Sequence, residues 1–317
     1  MQTLRLILCL LLLKQTASAV EDIVRGEDHF EFTYRATLPA LDEKSRLWVP
    51  LAKSDPFQTV EIERISLPIG WQKIEDEDYK NQIAVSTLGP ADSGKTIEID
   101  YKVVRHEKAS YAAPGDSTRF VRPELLVPRN ATFVSIARDA TVGKVAALER
   151  GRALYQHVLA RMKYDKSGSG WGRGDAVYAC DVRAGNCTDF HSYFIALARA
   201  SGIPARFAIG FTIPADSQDG KINGYHCWAE FLADGRWIPV DISEAWKNPA
   251  LADYYFGHHP ANRFELSQGR DLLTEPEAAS GRFNFLVYPF LEVDGKAVKM
   301  ETAFSFHRVK ASLAALK

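Results

Sequence analysis

Gly185-Asn186-Cys187-Thr188-Asp189-Phe190-His191-Ser192-Tyr193-Phe194-Ile195-Ala196-Leu197-Ala198 is the stretch on which the fold turns. Asn186 suits a helix N-cap, because its side-chain oxygen can take up one of the unpaired N–H groups of a first turn. Phe190, Tyr193, Phe194, Leu197 and Ala198 recur at helical spacing and make one apolar face. Gly202 ends the helix, and Pro204 blocks its continuation before a β-run from Arg206 to Ile213. A cysteine at the first position of such a helix meets free N–H groups and the positive end of the helix dipole. Both favour the thiolate, the nucleophilic form of the side chain.

A cysteine nucleophile needs a base on a neighbouring element. Downstream, Gly224-Tyr225-His226-Cys227-Trp228-Ala229-Glu230-Phe231 reads as a strand. Asp234-Gly235 is a tight hairpin signal, and Trp237-Ile238-Pro239-Val240-Asp241-Ile242 is the return strand. A two-residue loop sets Ala233 opposite Arg236, and so Trp228 opposite Asp241 and His226 opposite Ser243. Opposed residues share a face and the side-chain period is two, so Asp241 lies on the face of His226, one diagonal step away. That diagonal is roughly 7–8 Å between backbones, within reach of two side chains. A three-residue loop would turn Asp241 to the other face. The spacing therefore predicts Cys187 as nucleophile, His226 as base and Asp241 as the group that orients the imidazole.

These three blocks, ordered Cys, His, Asp at separations of 39 and 15 residues, resemble those of the transglutaminase-like superfamily, over about residues 140–250. The resemblance implies a papain-like α+β core, with the nucleophile on a helix and its partners on a sheet. It also suggests that the β-rich stretch ahead of the core is the β-domain often found there. The superfamily contains transglutaminases, cysteine peptidases, amidases and members without known activity, so fold and triad do not choose the reaction. The chain is much shorter than the calcium-dependent animal enzymes and has no acidic loop resembling their metal sites.

The rest of the chain is read around that core. Its 317 residues suggest two domains, and 46% hydrophobic, 11% aromatic and 25% charged residues are ordinary globular values. A net charge of -1 supplies no basic field for nucleic acid. Arg5, the apolar run Leu6 to Leu13 and Ala17-Ser18-Ala19 form a signal-peptide pattern, too short to span a bilayer, so residues 1–19 are set aside and a periplasmic or secreted location is expected. No membrane span is expected after cleavage. Residues 20–120 hold alternating runs at His29–Arg35, Val60–Ile65 and Thr96–Tyr101, which predict an antiparallel β-sandwich. Residues 121–317 are expected to be the catalytic domain. The stretch 107–140, with Pro114, Pro123 and Pro128, is expected to be an irregular connection, and a helix is expected from Val142 to Lys163, weakened by Gly151. The loop Ser167 to Gly174 is dense in glycine but has no following Lys-Ser/Thr, so it is not a phosphate cradle. Phe283 to Val293, Asp294-Gly295 and Met300 to His307 predict a supporting hairpin.

Neighbouring residues admit other readings. Cys180, Cys187, His191, His226 and Cys227 lack the spacing of a zinc site, and His226 and Cys227 are expected on opposite faces of one strand. No metal or cofactor is expected. Cys180 and Cys227 are buried thiols or a disulfide pair. His191, four residues after Cys187, is a structural histidine or a substitute base. Glu230 shares the His226 face and is solvated or salt-bridged, or a second acid. Tyr225, Trp228 and Trp246 line a groove or pack in the core, His258-His259 is expected at the surface, and Trp171 is a candidate second oxyanion donor. The sequence thus points to an exported cysteine-dependent acyl-transfer enzyme acting on peptide or protein amide bonds. The alternative is a binding or assembly module that keeps the fold without the chemistry.

Overall fold

The computed structural model describes residues 23–310. The expected signal peptide lies outside the described residues. The chain is mixed α/β, with three five-stranded antiparallel sheets and five α-helices among the described residues. No helix among them is long and apolar enough to cross a membrane.

The central sheet runs Arg263–Gln268, Ala205–Thr212, His226–Ala233, Arg236–Val240 and Tyr111–Ala112. Its middle hairpin has the predicted register, Ala233 opposite Arg236 and Ala229 opposite Val240. Asp234 and Gly235 both take positive φ, as a two-residue turn of this hand requires. The helices are α1 (Ala131–Ala140), α2 (Ala147–Arg161), α3 (Ala176–Val182), α4 (Cys187–Ala200) and α5 (Ile242–Lys247). Helix α4 is buried along its whole length and packs on His226–Ala233, with α1, α2, α3 and α5 around it.

Two expectations about the helices are corrected. The stretch 107–140 is not irregular throughout, because α1 begins behind an Asn130 cap that accepts from the Phe133 N–H at 3.0 Å. Phe133, Ile136, Ala137 and Ala140 form its inward face. The helix expected from Val142 begins only at Ala147. Val142 and Val145 are exposed, and Gly143 turns the chain with φ of 74°. Gly151 fits inside α2 because a Cβ there would lie 2.2 Å from the Phe231 ring, so the two elements approach closely only with glycine.

The other two sheets mix both ends of the chain. One runs Asp219–Ile222, Glu301–Arg308, Glu27–Thr37, Thr96–His106 and Gln58–Ser66. The other runs Lys296–Val298, Phe290–Val293, Ser45–Leu51, Gln82–Leu88 and Gln72–Glu75. The stretch 290–308, read above as part of the 121–317 unit, thus hydrogen-bonds to strands of the 20–120 stretch. Its hairpin partner differs too. Phe290–Val293 turns back at Asp294-Gly295 onto Lys296–Val298, while Glu301–Arg308 crosses to the first sheet. Apolar burial favours this return: Phe304 and Phe306 complete the inner face begun by Phe30, Phe32 and Tyr34. Phe32 meets Phe211 and Phe264 of the central sheet at 5.0 and 4.8 Å between ring centroids, so one core runs through both parts.

Candidate active site

The start of α4 is held by a double cap. The Asn186 side chain accepts from the Thr188 N–H at 3.0 Å, and Asp189 at the third helical position accepts from the Asn186 N–H at 2.9 Å. Asp189 also accepts from the N–H groups of Gly172 (2.7 Å) and Gly174 (3.0 Å), which fold the glycine-dense loop over the helix end. Gly185 is required by packing, since a Cβ there would lie 2.3 Å from Asp189 Oδ2. The outcome is Cys187 at the first helical position, 2% exposed, with its backbone N–H directed out of the helix.

His226 opens its strand and Asp241 follows the end of the return strand as the N-cap of α5. His226 Nε2 lies 2.6 Å from Asp241 Oδ2, so the ring donates from Nε2 and leaves Nδ1 for the sulfur of Cys187, its other side-chain partner. Asp241 also accepts from Arg263 Nη2 (3.3 Å), Ser243 Oγ (3.1 Å) and the Glu244 N–H (3.1 Å). Burial raises the cost of the Asp241 charge, but His226 and Arg263 outweigh it and hold the carboxyl well below its usual range. Burial alone would also depress His226. The Asp241 carboxylate and the Cys187 sulfur overcome that and hold the imidazole at about 9. Burial opposes the Cys187 thiolate as well, yet hydrogen bonds from Cys227 and His226, with the charge of the imidazolium, bring the thiol well below its ordinary value. A thiolate beside an imidazolium is the arrangement that attacks acyl carbon and then protonates a leaving group.

Several neighbours sit elsewhere than expected. His226 turns to Asp241 and Cys227 to His191 of α4, and both are partners of the Cys187 sulfur. The helix end abuts the first two residues of the strand, where both side chains come within reach. Cys180, Cys187 and Cys227 are free and buried. His191 is fully buried: its Nε2 accepts the Ile242 N–H at 3.1 Å, which leaves the proton on Nδ1, 3.5 Å from the Cys227 sulfur. Burial lowers its pKa, so it is a neutral clamp between α4 and α5. Glu230 is buried in ion pairs with Arg206 and Lys108. Trp228 is fully buried against His226 and His259, Tyr225 bonds through its hydroxyl to Asn186 at 3.0 Å, and Trp246 is exposed. His259 is buried, not at the surface, and burial pushes it down to about 3. Trp171 carries the Lys166 ammonium over its ring at 5.9 Å. Among the described residues, no group of three His, Cys, Asp or Glu side chains is arranged to hold a metal ion.

Two site residues were not anticipated. Glu244 Oε1 lies 3.8 Å from His226 Nε2, and Arg263, at the start of the edge strand Arg263–Gln268, backs Asp241. Asp241-Ile242-Ser243-Glu244 has the spacing of a capping box, a signal from which α5 and Glu244 were readable. Arg263 has no local signal, because only the tertiary packing brings it to Asp241.

Residues 134–242 match the family model of the transglutaminase-like superfamily. A Haemophilus influenzae protein described as uncharacterized is 32% identical over 191 residues, 50% of this chain and 52% of that protein. The chain thus spans about half the length of that curated relative. The crystal structure of a Cytophaga hutchinsonii protein, described provisionally as a cysteine protease, aligns over 90% of this chain and 92% of that chain with a TM-score of 0.60 at 17% identity, a likeness of fold. The periplasmic domain of TgpA from Pseudomonas aeruginosa aligns over 72% of this chain and 91% of that chain, with a TM-score of 0.39 at 14% identity.

Proposed function

Because residues 134–242 match the model of the transglutaminase-like superfamily, we propose that the protein is a cysteine-dependent acyl-transfer enzyme acting on peptide or amide bonds, with Cys187 as nucleophile, His226 as acid and base, and Asp241 as orienter. The observation that carries this is the 2.6 Å contact of His226 Nε2 with Asp241, which leaves the opposite ring nitrogen to the sulfur at the start of α4. The thiolate adds to the amide carbonyl, and the Cys187 N–H stabilises the oxyanion. The imidazolium gives its proton to the leaving amine, and a thioester remains. His226 then takes a proton from water as the water oxygen attacks the thioester, which releases the acid and restores the thiolate. With no glutamine-donor pocket and no calcium site singled out in the sequence, hydrolysis is favoured over cross-linking. Residues 1–19 are read as a cleaved signal, which makes the site of action periplasmic or extracellular. The two outer sheets are read as a sandwich that supports the core.

The burial of Cys187, 2% exposed, favours the alternative of an assembly module without chemistry. The pH dependence of Cys187 alkylation by iodoacetamide separates the two. The expected outcome is alkylation that persists well below the ordinary thiol pKa of about 8.5 and returns towards that value in His226→Ala, while Cys187→Ala takes up no label at this site. An unshifted thiol indifferent to His226 overturns the enzyme reading.

A further inference from the structure

Two open cavities meet at Tyr288 and Thr302. One, of about 500 Å³, has Arg35, Lys221 and Gly224 in its wall, and the other, of about 560 Å³, has Lys299. Between them lies an incomplete sheet edge. Glu301–Arg308 pairs along its full length with Glu27–Thr37 on one side. On the other side Asp219–Ile222 covers only Phe304 to His307. The chain leaves the sheet after Ile222, so Glu301, Thr302 and Ala303 have no strand on that side, and Ala303 is exposed. An open edge of this kind is a template for an extended chain.

The charged side chains that line the two cavities have one sign, while Glu301 of the edge itself is exposed. Arg35, Lys221 and Lys299 line the two cavities, and no acidic side chain does. Glu98 engages Arg35. Lys221 and Lys299 are exposed, and the structure pairs neither with an acid among the described residues. Packing also links the edge to the start of the His226 strand. The Tyr288 hydroxyl accepts the Tyr225 N–H at 3.3 Å, and the two rings meet edge-on with centroids 5.8 Å apart. Tyr288 stacks on Phe304 of the edge strand at 5.7 Å, and Tyr225 is the residue before His226.

We propose that this edge docks the substrate polypeptide: an extended, acidic segment adds as a strand beside Thr302 and Ala303, in the line vacated after Ile222, and carries the bond to be cleaved past Tyr225 to Cys187. This rests on the acyl-transfer reading and names its substrate class as an extended acidic polypeptide in preference to a small free amide. Main-chain hydrogen bonds supply the affinity, and the lysines supply the charge preference.

The test uses the full chain carrying Cys187→Ala, so that binding is read without turnover. Fluorescence anisotropy is measured with a labelled eight-residue peptide alternating Thr or Val with Glu, its Lys counterpart, and the Glu peptide N-methylated at alternate backbone amides. The Glu peptide is expected to bind about tenfold or more tighter than either of the others, a difference of ~1.4 kcal/mol. Lys221→Glu combined with Lys299→Glu, with the fold checked by circular dichroism, is expected to abolish the preference. Equal binding of Glu and Lys peptides, indifference to N-methylation, or no binding of any peptide at millimolar concentration overturns the proposal. Such a result leaves the alkylation profile of Cys187 untouched, so failure of the docking site and failure of the enzyme reading are separately visible.

Discussion

The strand His226–Ala233 carries a buried charge cluster towards each end, and the two behave differently. At its start His226 stands among Cys187, Asp241 and Glu244, with Arg263 behind Asp241. Near its end Glu230 is fixed by Arg206 at 2.6 Å, Lys108 at 3.3 Å and the Tyr111 hydroxyl at 2.8 Å, and Lys108 also reaches Glu265 at 3.4 Å. Burial works against the Glu230 carboxylate, but Arg206 and Lys108 overcome it and hold it far below its ordinary range. Both clusters are desolvated, so burial does not distinguish them. What differs is the partner. Glu230 is neutralised by permanent cations and stays ionised, so it holds no proton to exchange at neutral pH. The charges of Cys187 and His226 form by transfer of a proton from one to the other, and that proton can return.

The largest expected effect breaks the structural cluster. Lys108→Met leaves Glu230 and Glu265 short of a buried cation and is expected to cost about 3–5 kcal/mol of stability, measured by chemical denaturation. The alkylation rate of the folded fraction should stay at the wild-type value. Asp241→Asn does the reverse. It removes the charge that holds His226 protonated and is expected to slow Cys187 alkylation at pH 7 by roughly 10²-fold, read by intact mass. An unchanged rate would separate Asp241 from the chemistry. Glu244→Gln sharpens the picture of the site. Loss of a carboxylate 3.8 Å from the imidazole is expected to move the alkaline limit of the alkylation profile down by about half a pH unit, with a loss of well under tenfold at pH 7.

The smallest expected effect is a cancellation. The pKa of His226 is raised, so its contribution to stability is complete below about 6.5 and is lost as pH rises through about 9. Cys187 is lowered, so its contribution is complete above about 8.5 and is lost as pH falls through its folded value. Between about 6.5 and 8.5 the two slopes oppose each other, and thermal unfolding midpoints are expected to be nearly flat there. The structural cluster is instead sensitive to acid. His259 beside it is held neutral, with its pKa at about 3, so its contribution falls as pH drops below about 6.5. A steep wild-type slope between 6.5 and 8.5 would argue against an internal Cys187–His226 proton exchange.

Local signals carried much of this molecule. The cap at Asn186, the stop at Gly202 and the Asp234-Gly235 turn each act within a few residues, so α4 and the register bringing Asp241 to His226 were legible. The boundary at Val240 was less so. Asp241 leaves the strand to cap α5, and its N–H goes to the Tyr255 carbonyl, a partner that no local pattern announces. Helix α1 was legible in principle from Phe133, Ile136, Ala137 and Ala140, but the prolines before it masked the pattern.

By itself the sequence determined the order Cys187, His226, Asp241, the helix that starts at Cys187 and the parity of the hairpin, because capping, turn geometry and side-chain period are short-range properties of the chain. Only the tertiary structure decided that residues 290–308 close the outer sheets, that Cys227 stands in the site, that Arg263 backs Asp241 and that His259 is buried. Those contacts join residues far apart in the chain, and they are selected by the burial of one shared core rather than by any preference of the residues themselves.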